Sequence, residues 1–273
     1  MEKIAVILPV YKNDKVPYIK LSFDSILNQT YGNIHLYVGV DGPVGEDLKA
    51  CLQEYEKDER ISVEWFMENR GLAIVLNDLL DICFKAGYEY IARMDADDIS
   101  MPNRIEKQMA FLQTNPDIDV VGGAIEEIDE NSNSRGKTIV YPEGPKECYD
   151  FFSRRNPHAH PAVLFRKSFF EKAGCKYRPE YRQNQDTMLW LDGMSKGTKH
   201  ANLQDVVLRF RFTNSLFKKR RNGWVFAKKQ LHDRKIINKT LGYGFGATVF
   251  GYMMFCMLVS PPWVKKIAYK VFR

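Results

Sequence analysis

The feature that most constrains the fold is a regular alternation of apolar and helix-patterned segments over the first hundred residues. Short apolar segments that are typical of buried strands cover residues 4–11, 34–40, 61–67 and 88–94. Segments with apolar residues at helical spacing lie between them, at residues 16–29, 48–55 and 71–86. This order predicts an α/β fold with a mostly parallel central sheet flanked by helices.

Polar residues follow directly after each predicted strand. They are Tyr11, Asp41, Asn69 with Arg70 and Gly71, and the run Asp95-Ala96-Asp97-Asp98. Because ligands of open parallel sheets bind beyond the carboxyl ends of the strands, these groups should meet at one edge. The sequence therefore predicts a single binding site there.

The run from Asp95 to Asp98 is the strongest candidate for chemistry. Its three carboxylates repel one another unless a cation neutralises them, and hard oxygen ligands suit Mg²⁺ or Mn²⁺. The alternative is a solvated acidic turn. The strand that precedes the run favours metal binding, since it directs the carboxylates to the predicted edge.

The other candidates each have a structural alternative. Asp41 either forms the turn before Gly42 or bonds a nucleobase or ribose. Asn69 either caps the next helix or lies beside an Arg70 that holds a pyrophosphate. Asp186 opens a predicted helix, where an acid is a dipole partner or a general base.

His158 and His160 form an HxH pair, but no third nitrogen or sulfur ligand stands out, which favours a loop that shapes the pocket over a zinc site. The five cysteines form no CxxC pair, which favours reduced thiols in the cytosol. GxGxxG after the first strand, GxxxxGK[ST] and GxSxG are missing, which disfavours dinucleotide-binding oxidoreductases, P-loop NTPases and α/β-hydrolases.

Together these motifs resemble glycosyltransferase family 2, the inverting nucleotide-sugar transferases of GT-A fold. The resemblance covers residues 3–212 and rests on several short motifs. They are the opening AVILPVYK, SILNQTY at 25–31, VDG at 40–42, ENRGL at 68–72, MDADDI at 94–99 with Pro102, Arg104 and Gln108, and His160-Pro161 with Arg166-Lys167-Ser168.

The resemblance implies a role for each matching residue. Pro9, Tyr11 and Asp41 would hold the uracil and ribose of a UDP-sugar, with Asn69 and Arg70 near the base or diphosphate. Asp95 and Ala96 would contact the ribose or sugar, and Asp97 would bind the Mn²⁺ or Mg²⁺ ion. Asp186 would be the catalytic base. The acceptor side would include His158, His160, Gln185 and Trp190, although Gln185 stands where the family usually has Glu.

The resemblance also implies an organisation and a reaction. Residues 1–213 would form the GT-A domain, with a nucleotide-sugar half at 1–100 and an acceptor half at 101–213. It would transfer a sugar, with inversion and with a metal, to a hydroxyl of a glycan or a polyprenyl-diphosphate-linked acceptor in cell-surface polysaccharide synthesis. The alternatives are a nucleotidyltransferase of similar fold and an inactive carbohydrate-binding scaffold at the membrane.

Charge divides the chain unevenly. Residues 214–273 carry 13 Lys or Arg and one acid, a balance of +12, whereas residues 1–213 have a balance of −6. Residues 240–264 hold no charged residue. We expect a helical tail that associates with the cytoplasmic face of the plasma (inner) membrane as a peripheral or monotopic anchor, and no nucleic-acid binding. A membrane span or a buried core segment are the alternatives for residues 240–264.

Overall fold

The computed structural model describes residues 1–212 and 223–260. Within it the chain forms two compact units. The first comprises Met1–Tyr149 and Asn156–Arg211, and the second comprises Asp150–Arg155, Phe212 and the described residues 223–260. The basic run at 218–221 and the basic residues from Lys265 to the C-terminus lie outside the described residues.

The first unit begins with the predicted alternation of strands and helices. Its elements are β1 (Ile4–Val10), α1 (Val16–Leu27), β2 (Ile34–Val40), α2 (Glu46–Tyr55), β3 (Ile61–Trp65), α3 (Leu72–Lys85) and β4 (Tyr90–Arg93). The four strands pair in parallel in the order β3-β2-β1-β4. The α/β fold with its mostly parallel sheet is therefore confirmed.

The sheet continues beyond β4 with elements of mixed direction. They are β5 (Ile99–Ser100), α4 (Arg104–Thr114), β6 (Val120–Ile128), β7 (Ser134–Ile139), α5 (Pro145–Phe152), a 3₁₀ turn (His160–Ala162), β8 (Leu164–Arg166), α6 (Lys167–Ala173), α7 (Gln185–Ser195) and β9 (His200–Arg211). Strand β8 lies antiparallel between β4 and β6, while β9 runs parallel to β6. This insertion of β8 brings the segment before it, and α7, to the end of β4.

Burial explains why the first strands are continuous apolar runs. Every residue of β1 except Pro9 is buried, as expected for a strand covered on both faces. Helix α3 covers one face, and a Cβ at Gly39 of β2 would lie only 2.5 Å from Val75 Cγ1. Glycine at 39 thus lets α3 approach the sheet closely enough to bury its apolar side.

The prediction was less accurate between residues 130 and 206. The apolar residues there predict strands over 138–141 and 206–212, whereas in the structure β7 covers Ser134–Ile139 and β9 begins at His200. The sequence also predicts an extended segment over 156–166, which in the structure holds a 3₁₀ turn before β8. Helices α5 and α6 were not predicted, because seven or eight residues are too few to establish a helical period.

The second unit contains two helices, α8 (Trp224–Thr240) and α9 (Phe245–Val259). They pack closely, since a Cβ at Gly251 would lie 3.0 Å from Arg234 Cγ, and the Trp224 and Phe255 rings meet edge to face. Helix α9 carries no charge and buries only Gly251. Within the described ranges, none of the helices combines the length and the apolar character needed to cross a membrane.

Candidate functional site

Strand β4 ends in a turn that gathers three carboxylates. Oxygen atoms of Asp95, Asp97 and Asp98 all lie within 4.8 Å of one another. Asp95 and Asp97 are partly exposed, whereas Asp98 is fully buried. We call these three residues the acidic turn; Ala96, between the first two, is buried.

Arg211, at the end of β9, holds the acidic turn in place. Its backbone N–H donates to Asp98 Oδ1 (2.8 Å), and its Nε donates to the carbonyl oxygen of Asp97 (2.8 Å). Asp98 Oδ2 is buried and has no hydrogen-bond partner among the described residues. The carboxylates of Asp95 and Asp97 are therefore partly exposed, on a turn whose backbone is held by Arg211.

Burial and mutual repulsion disfavour the ionised forms of the carboxylates in the acidic turn. Burial, and then the neighbouring Asp95, raise the pKa of Asp97 to about 6. Burial, followed by Asp97 and Asp95, raises the pKa of Asp98 as well. Clustered oxygen donors whose charges are mutually unfavourable, with one orphaned buried oxygen, fit a divalent cation such as Mg²⁺ or Mn²⁺.

Asp41 binds the loop that precedes α3. Its buried carboxylate accepts hydrogen bonds from Asn69 Nδ2 (2.9 Å), the backbone N–H of Arg70 (2.7 Å) and that of Gly71 (3.0 Å). Gly42 permits this approach, because a Cβ there would lie 2.6 Å from the Asn69 nitrogen and its φ is +85°. Asp41 thus anchors the loop at the edge where a base or ribose was predicted to bind.

Arg70 and Tyr11 lie at the same carboxyl edge of the sheet. The parallel register pairs Pro9 with Gly39, which places the end of β1 beside the end of β2. The Arg70 guanidinium forms an ion pair with Asp78 and lies 4.4 Å from the centroid of the Phe66 ring. Arg70 is therefore held by α3, although it remains partly exposed.

Asp186 lies in the first turn of α7, after Asn184 in a left-handed conformation. Asn156 Nδ2 donates to Asp186 Oδ2 (3.0 Å), and Asn156 Oδ1 accepts from the Thr187 hydroxyl (3.1 Å). Burial raises the pKa of Asp186, while backbone donors, Arg93 and Asn156 oppose that shift. A partly exposed carboxylate with a raised pKa and a fixed orientation can accept a proton.

His158 and His160 belong to separate buried networks. His158 contacts Asn202 Oδ1 (2.8 Å) and His200 Nδ1 (3.0 Å), while His160 contacts the Tyr177 hydroxyl (2.7 Å). Burial lowers the pKa of His158 to about 4, so it is neutral at neutral pH. In residues 1–212 and 223–260 the acidic turn is the only candidate metal cluster.

Trp190 and Gln185 are the other two predicted residues of α7. Trp190 is fully buried, with ring contacts to His158 and Phe165 at centroid distances of 5.0 and 5.7 Å. Gln185 Oε1 is buried and has no hydrogen-bond partner in the described part of the chain. Trp190 therefore fixes α7 on the sheet, and Gln185 retains an acceptor close to Asp186.

Three site residues were missed by the sequence analysis. Arg93 forms an ion pair with Asp95 and also favours the charged forms of Asp97 and Asp186. Arg211 and Asn156 position the acidic turn and Asp186 respectively. The only signal for Arg93 was a charged residue inside an apolar strand. The other two act across long sequence separations.

Comparison with known proteins identifies the family. The profile described as "Glycosyl transferase family 2" matches residues 5–175. The chain is 32% identical to "Amylovoran biosynthesis glycosyltransferase AmsE" of Erwinia amylovora over 248 residues, which is 90% of each chain. It is 33% identical to "O-antigen biosynthesis glycosyltransferase WbnJ" of Escherichia coli over 217 residues, 78% of this chain and 81% of the relative.

A solved structure supports the fold. The S. aureus protein TarS, residues 1–349 in complex with UDP-GlcNAc, aligns with a TM-score of 0.66 at 14% identity, covering 94% of this chain and 71% of that one. The GT-A architecture inferred from the motifs is thus confirmed. The chain belongs to glycosyl transferase family 2 and is a glycosyltransferase, rather than the nucleotidyltransferase that the sequence had left as an alternative.

Proposed function

We propose that the protein is an inverting, metal-dependent glycosyltransferase that uses a nucleotide-sugar donor, a UDP-sugar in the first instance. The acceptor is a hydroxyl of a glycan or of a polyprenyl-diphosphate-linked glycan in cell-surface polysaccharide synthesis. The observation that carries the proposal is that one guanidinium, that of Arg93, forms an ion pair with Asp95 of the acidic turn and also favours the charged form of Asp186. The names of the two relatives, which concern amylovoran and O-antigen, favour this acceptor class.

The carboxyl edge of β1 and β2 would bind the nucleoside. Pro9, Tyr11 and the loop at 69–71 surround that edge, and Asp41 keeps the loop in place. Both Asp41 oxygens already accept hydrogen bonds from the loop at 69–71. Asp41 would therefore contribute to base recognition by fixing the shape of this loop. Arg70 would reach a phosphate or the base by exchanging its ion pair with Asp78.

The acidic turn would hold a divalent cation through Asp97, with Asp95 and Ala96 beside the ribose or sugar. When bound, such an ion offsets the negative charge that develops on the departing nucleoside diphosphate. The protein's contribution is the fixed backbone, because Arg211 restrains Asp97 and Asp98 from behind. This restraint keeps the carboxylates together despite their repulsion.

Asp186 would act on the acceptor. The acceptor hydroxyl oxygen forms a bond to the anomeric carbon while the bond from that carbon to the diphosphate oxygen breaks. The hydroxyl proton passes to Asp186, and the nucleoside diphosphate leaves with the bonding electron pair. Because attack and departure occur on opposite faces, one displacement inverts the anomeric configuration.

The electrostatic setting of Asp186 suits this role. Burial raises the pKa of Asp186, which favours proton acceptance, while backbone donors, Arg93 and Asn156 favour its charged form. Asn156 holds one carboxylate oxygen and also bonds Thr187, so the carboxylate does not rotate freely.

A calorimetric and kinetic comparison tests the proposal. UDP-Gal, UDP-GlcNAc, UDP-Glc and GDP-Man are titrated with Mn²⁺, and donor hydrolysis is followed for the wild type, Asp97→Ala and Asp186→Asn. We expect Asp97→Ala to lose metal-dependent binding, and Asp186→Asn to bind without turnover. Asp205→Ala, which changes an exposed acid on β9, is the control. Full turnover by Asp186→Asn, or binding of none of the donors, would contradict the proposal.

We also propose that the second unit binds the cytoplasmic face of the plasma membrane through an anionic lipid surface. Phe245 and Met253 of α9 are 83% and 55% exposed, on a helix without charge. Helix α8 adds exposed Lys228, Lys235 and Lys239, whereas its acid, Asp233, is buried. Exposed apolar side chains next to exposed cations match a negatively charged lipid surface.

Vesicle co-sedimentation of the full chain tests this surface. We expect binding to phosphatidylglycerol-containing vesicles, weaker binding to phosphatidylcholine alone, and a loss of binding in a Phe245→Ser, Met253→Gln double variant. Met67→Gln is the matched control, since Met67 is 90% exposed in the first unit. Equal binding by the double variant and the wild type would refute the proposal.

A further inference from the structure

Arg93 is a buried cation with unused hydrogen-bond donors. Arg93 is 2% exposed, and of its side-chain nitrogens only Nη2 forms a hydrogen bond, which goes to Asp95. Nε and Nη1 are buried without a partner among the described residues. Unsatisfied buried donors destabilise a protein, and more so when the group is charged. A residue of this kind inside a strand therefore indicates a ligand.

The strand places Arg93 on the side of the sheet that carries α7. Ala92 and Met94 belong to the core cluster on one face, so Ile91 and Arg93 point to the other. In the antiparallel register Ile91 lies opposite Phe165, whose ring stacks on Trp190 of α7. The Arg93 side chain therefore extends between the acidic turn and the start of α7.

The groups around Arg93 come from three different segments. Its charge favours ionisation of Asp97 in the acidic turn, of Asp186 in α7 and of Tyr177, which precedes α7. It disfavours protonation of the buried His160. The guanidinium thus lies within electrostatic reach of both the proposed metal ligand and the proposed base.

We propose that Arg93 binds the transferred sugar of the donor, through hydrogen bonds from Nε and Nη1 to its hydroxyl oxygens. This subsite rests on the function proposed above, because the sugar must lie between the diphosphate at the acidic turn and the acceptor at Asp186. Arg93 pairs with Asp95 of the acidic turn and also favours the charged form of Asp186, so its guanidinium is within reach of both places. It is a specificity-determining residue, distinct from the groups that hold the nucleoside.

A hydroxyl is a better partner for Arg93 than a phosphate. Asp95 already neutralises the guanidinium through Nη2. A second anion would therefore gain less binding free energy from charge attraction than from its hydrogen bonds. The two remaining nitrogens, Nε and Nη1, donate from opposite edges of the planar guanidinium, so each would bond a different hydroxyl oxygen of a pyranose. Such contacts fix the orientation of the ring and discriminate between epimers.

Isothermal titration with UDP and with UDP-Gal, UDP-GlcNAc and UDP-Glc, all with Mg²⁺, separates the sugar contacts from the nucleotide contacts. We expect Arg93→Met to weaken binding of the preferred UDP-sugar by about 10- to 100-fold, the range for lost hydrogen bonds to a charged group, and to leave UDP binding nearly unchanged. Arg70→Met is the matched control, which should weaken UDP and the UDP-sugar by the same factor.

Thermal unfolding of the same variants distinguishes a ligand-binding role from a structural one. Because the methionine side chain removes an incompletely paired buried charge, Arg93→Met should unfold at the wild-type temperature or above it. Arg93→Lys, which keeps the charge and the contact with Asp95, should also lose sugar discrimination, and it replaces Arg93→Met if that variant does not fold.

Three binding results with the variants would overturn the inference. They are an equal loss of UDP and UDP-sugar binding in Arg93→Met, an unchanged affinity for the preferred UDP-sugar, and wild-type sugar discrimination in Arg93→Lys. If the wild type binds UDP but no UDP-sugar, the sugar subsite is wrong while nucleotide binding stands. If it binds neither, the proposed UDP-sugar donor is wrong, and the subsite is rejected with it.

Discussion

Replacement of Asp41 should destabilise the protein far more than its place in a turn sequence suggests. Its carboxylate accepts hydrogen bonds from three donors, the Asn69 side chain and the backbone N–H groups of Arg70 and Gly71. Each hydrogen bond to a charged acceptor contributes about 1.5–3 kcal/mol, but the contributions are not additive. Asn69 is exposed, so water can replace part of what is lost. We expect Asp41→Ala to lower the free energy of unfolding by about 2–4 kcal/mol.

Urea unfolding followed by circular dichroism, without ligands, measures this effect. Asp41→Asn keeps one acceptor oxygen and should lose about half as much, because the charge assistance disappears. Asp58→Ala is the matched control: that carboxylate also accepts a backbone N–H, from Arg60 (2.9 Å), but at the surface. We expect less than about 1 kcal/mol there. If Asp41→Ala costs no more than Asp58→Ala, the loop does not depend on Asp41 and the reasoning is wrong.

Three further predictions concern the same site and its walls. Gly42→Ala should cost about 1–3 kcal/mol of unfolding free energy in urea titrations, because its φ is +85° and the added Cβ would meet the Asn69 backbone; a neutral result would contradict this. Asn156→Ala should shift the acidic limb of the kcat/KM pH profile upward, since it removes a donor that stabilises ionised Asp186; an unmoved limb would rule this out. His158 has a folded-state pKa of about 4, below its unfolded value, so its contribution to stability is present above about pH 6.5 and falls by about 3 kcal/mol as the pH drops towards 4. His158→Gln should flatten that fall in unfolding measurements from pH 7 to 5, and an unchanged slope would show that His158 does not titrate as described.

The fold of the first hundred residues was predictable because each helix and strand there is indicated by the residue pattern of its own segment. The β1 and β2 strands are continuous apolar runs, and α3 repeats apolar residues at helical spacing. Parallel pairing then forces the residues that follow these strands to one edge. Asp41 and the acidic turn were found in this way, without knowledge of any side-chain contact.

The second half was predicted less well because its determinants are not local. Strand β8 has three residues and pairs with β4 and β6, which are far from it in sequence. Arg211 reaches the acidic turn across more than a hundred residues. Asn156 looked like one polar residue in an irregular segment, and only the packing of that segment against α7 brings it to Asp186.

The stereochemistry of donor hydrolysis tests the central claim most directly, and it requires no knowledge of the acceptor. Time-resolved ¹H NMR of UDP-α-Gal, or of whichever α-linked UDP-sugar of the panel binds best, identifies the anomer that is released before mutarotation. Direct displacement predicts that the β anomer of the sugar forms first with the wild type, and that Asp186→Asn releases neither anomer above the rate without enzyme. Release of the α anomer first, or the same rate in Asp186→Asn as in the wild type, would contradict a single displacement assisted by Asp186.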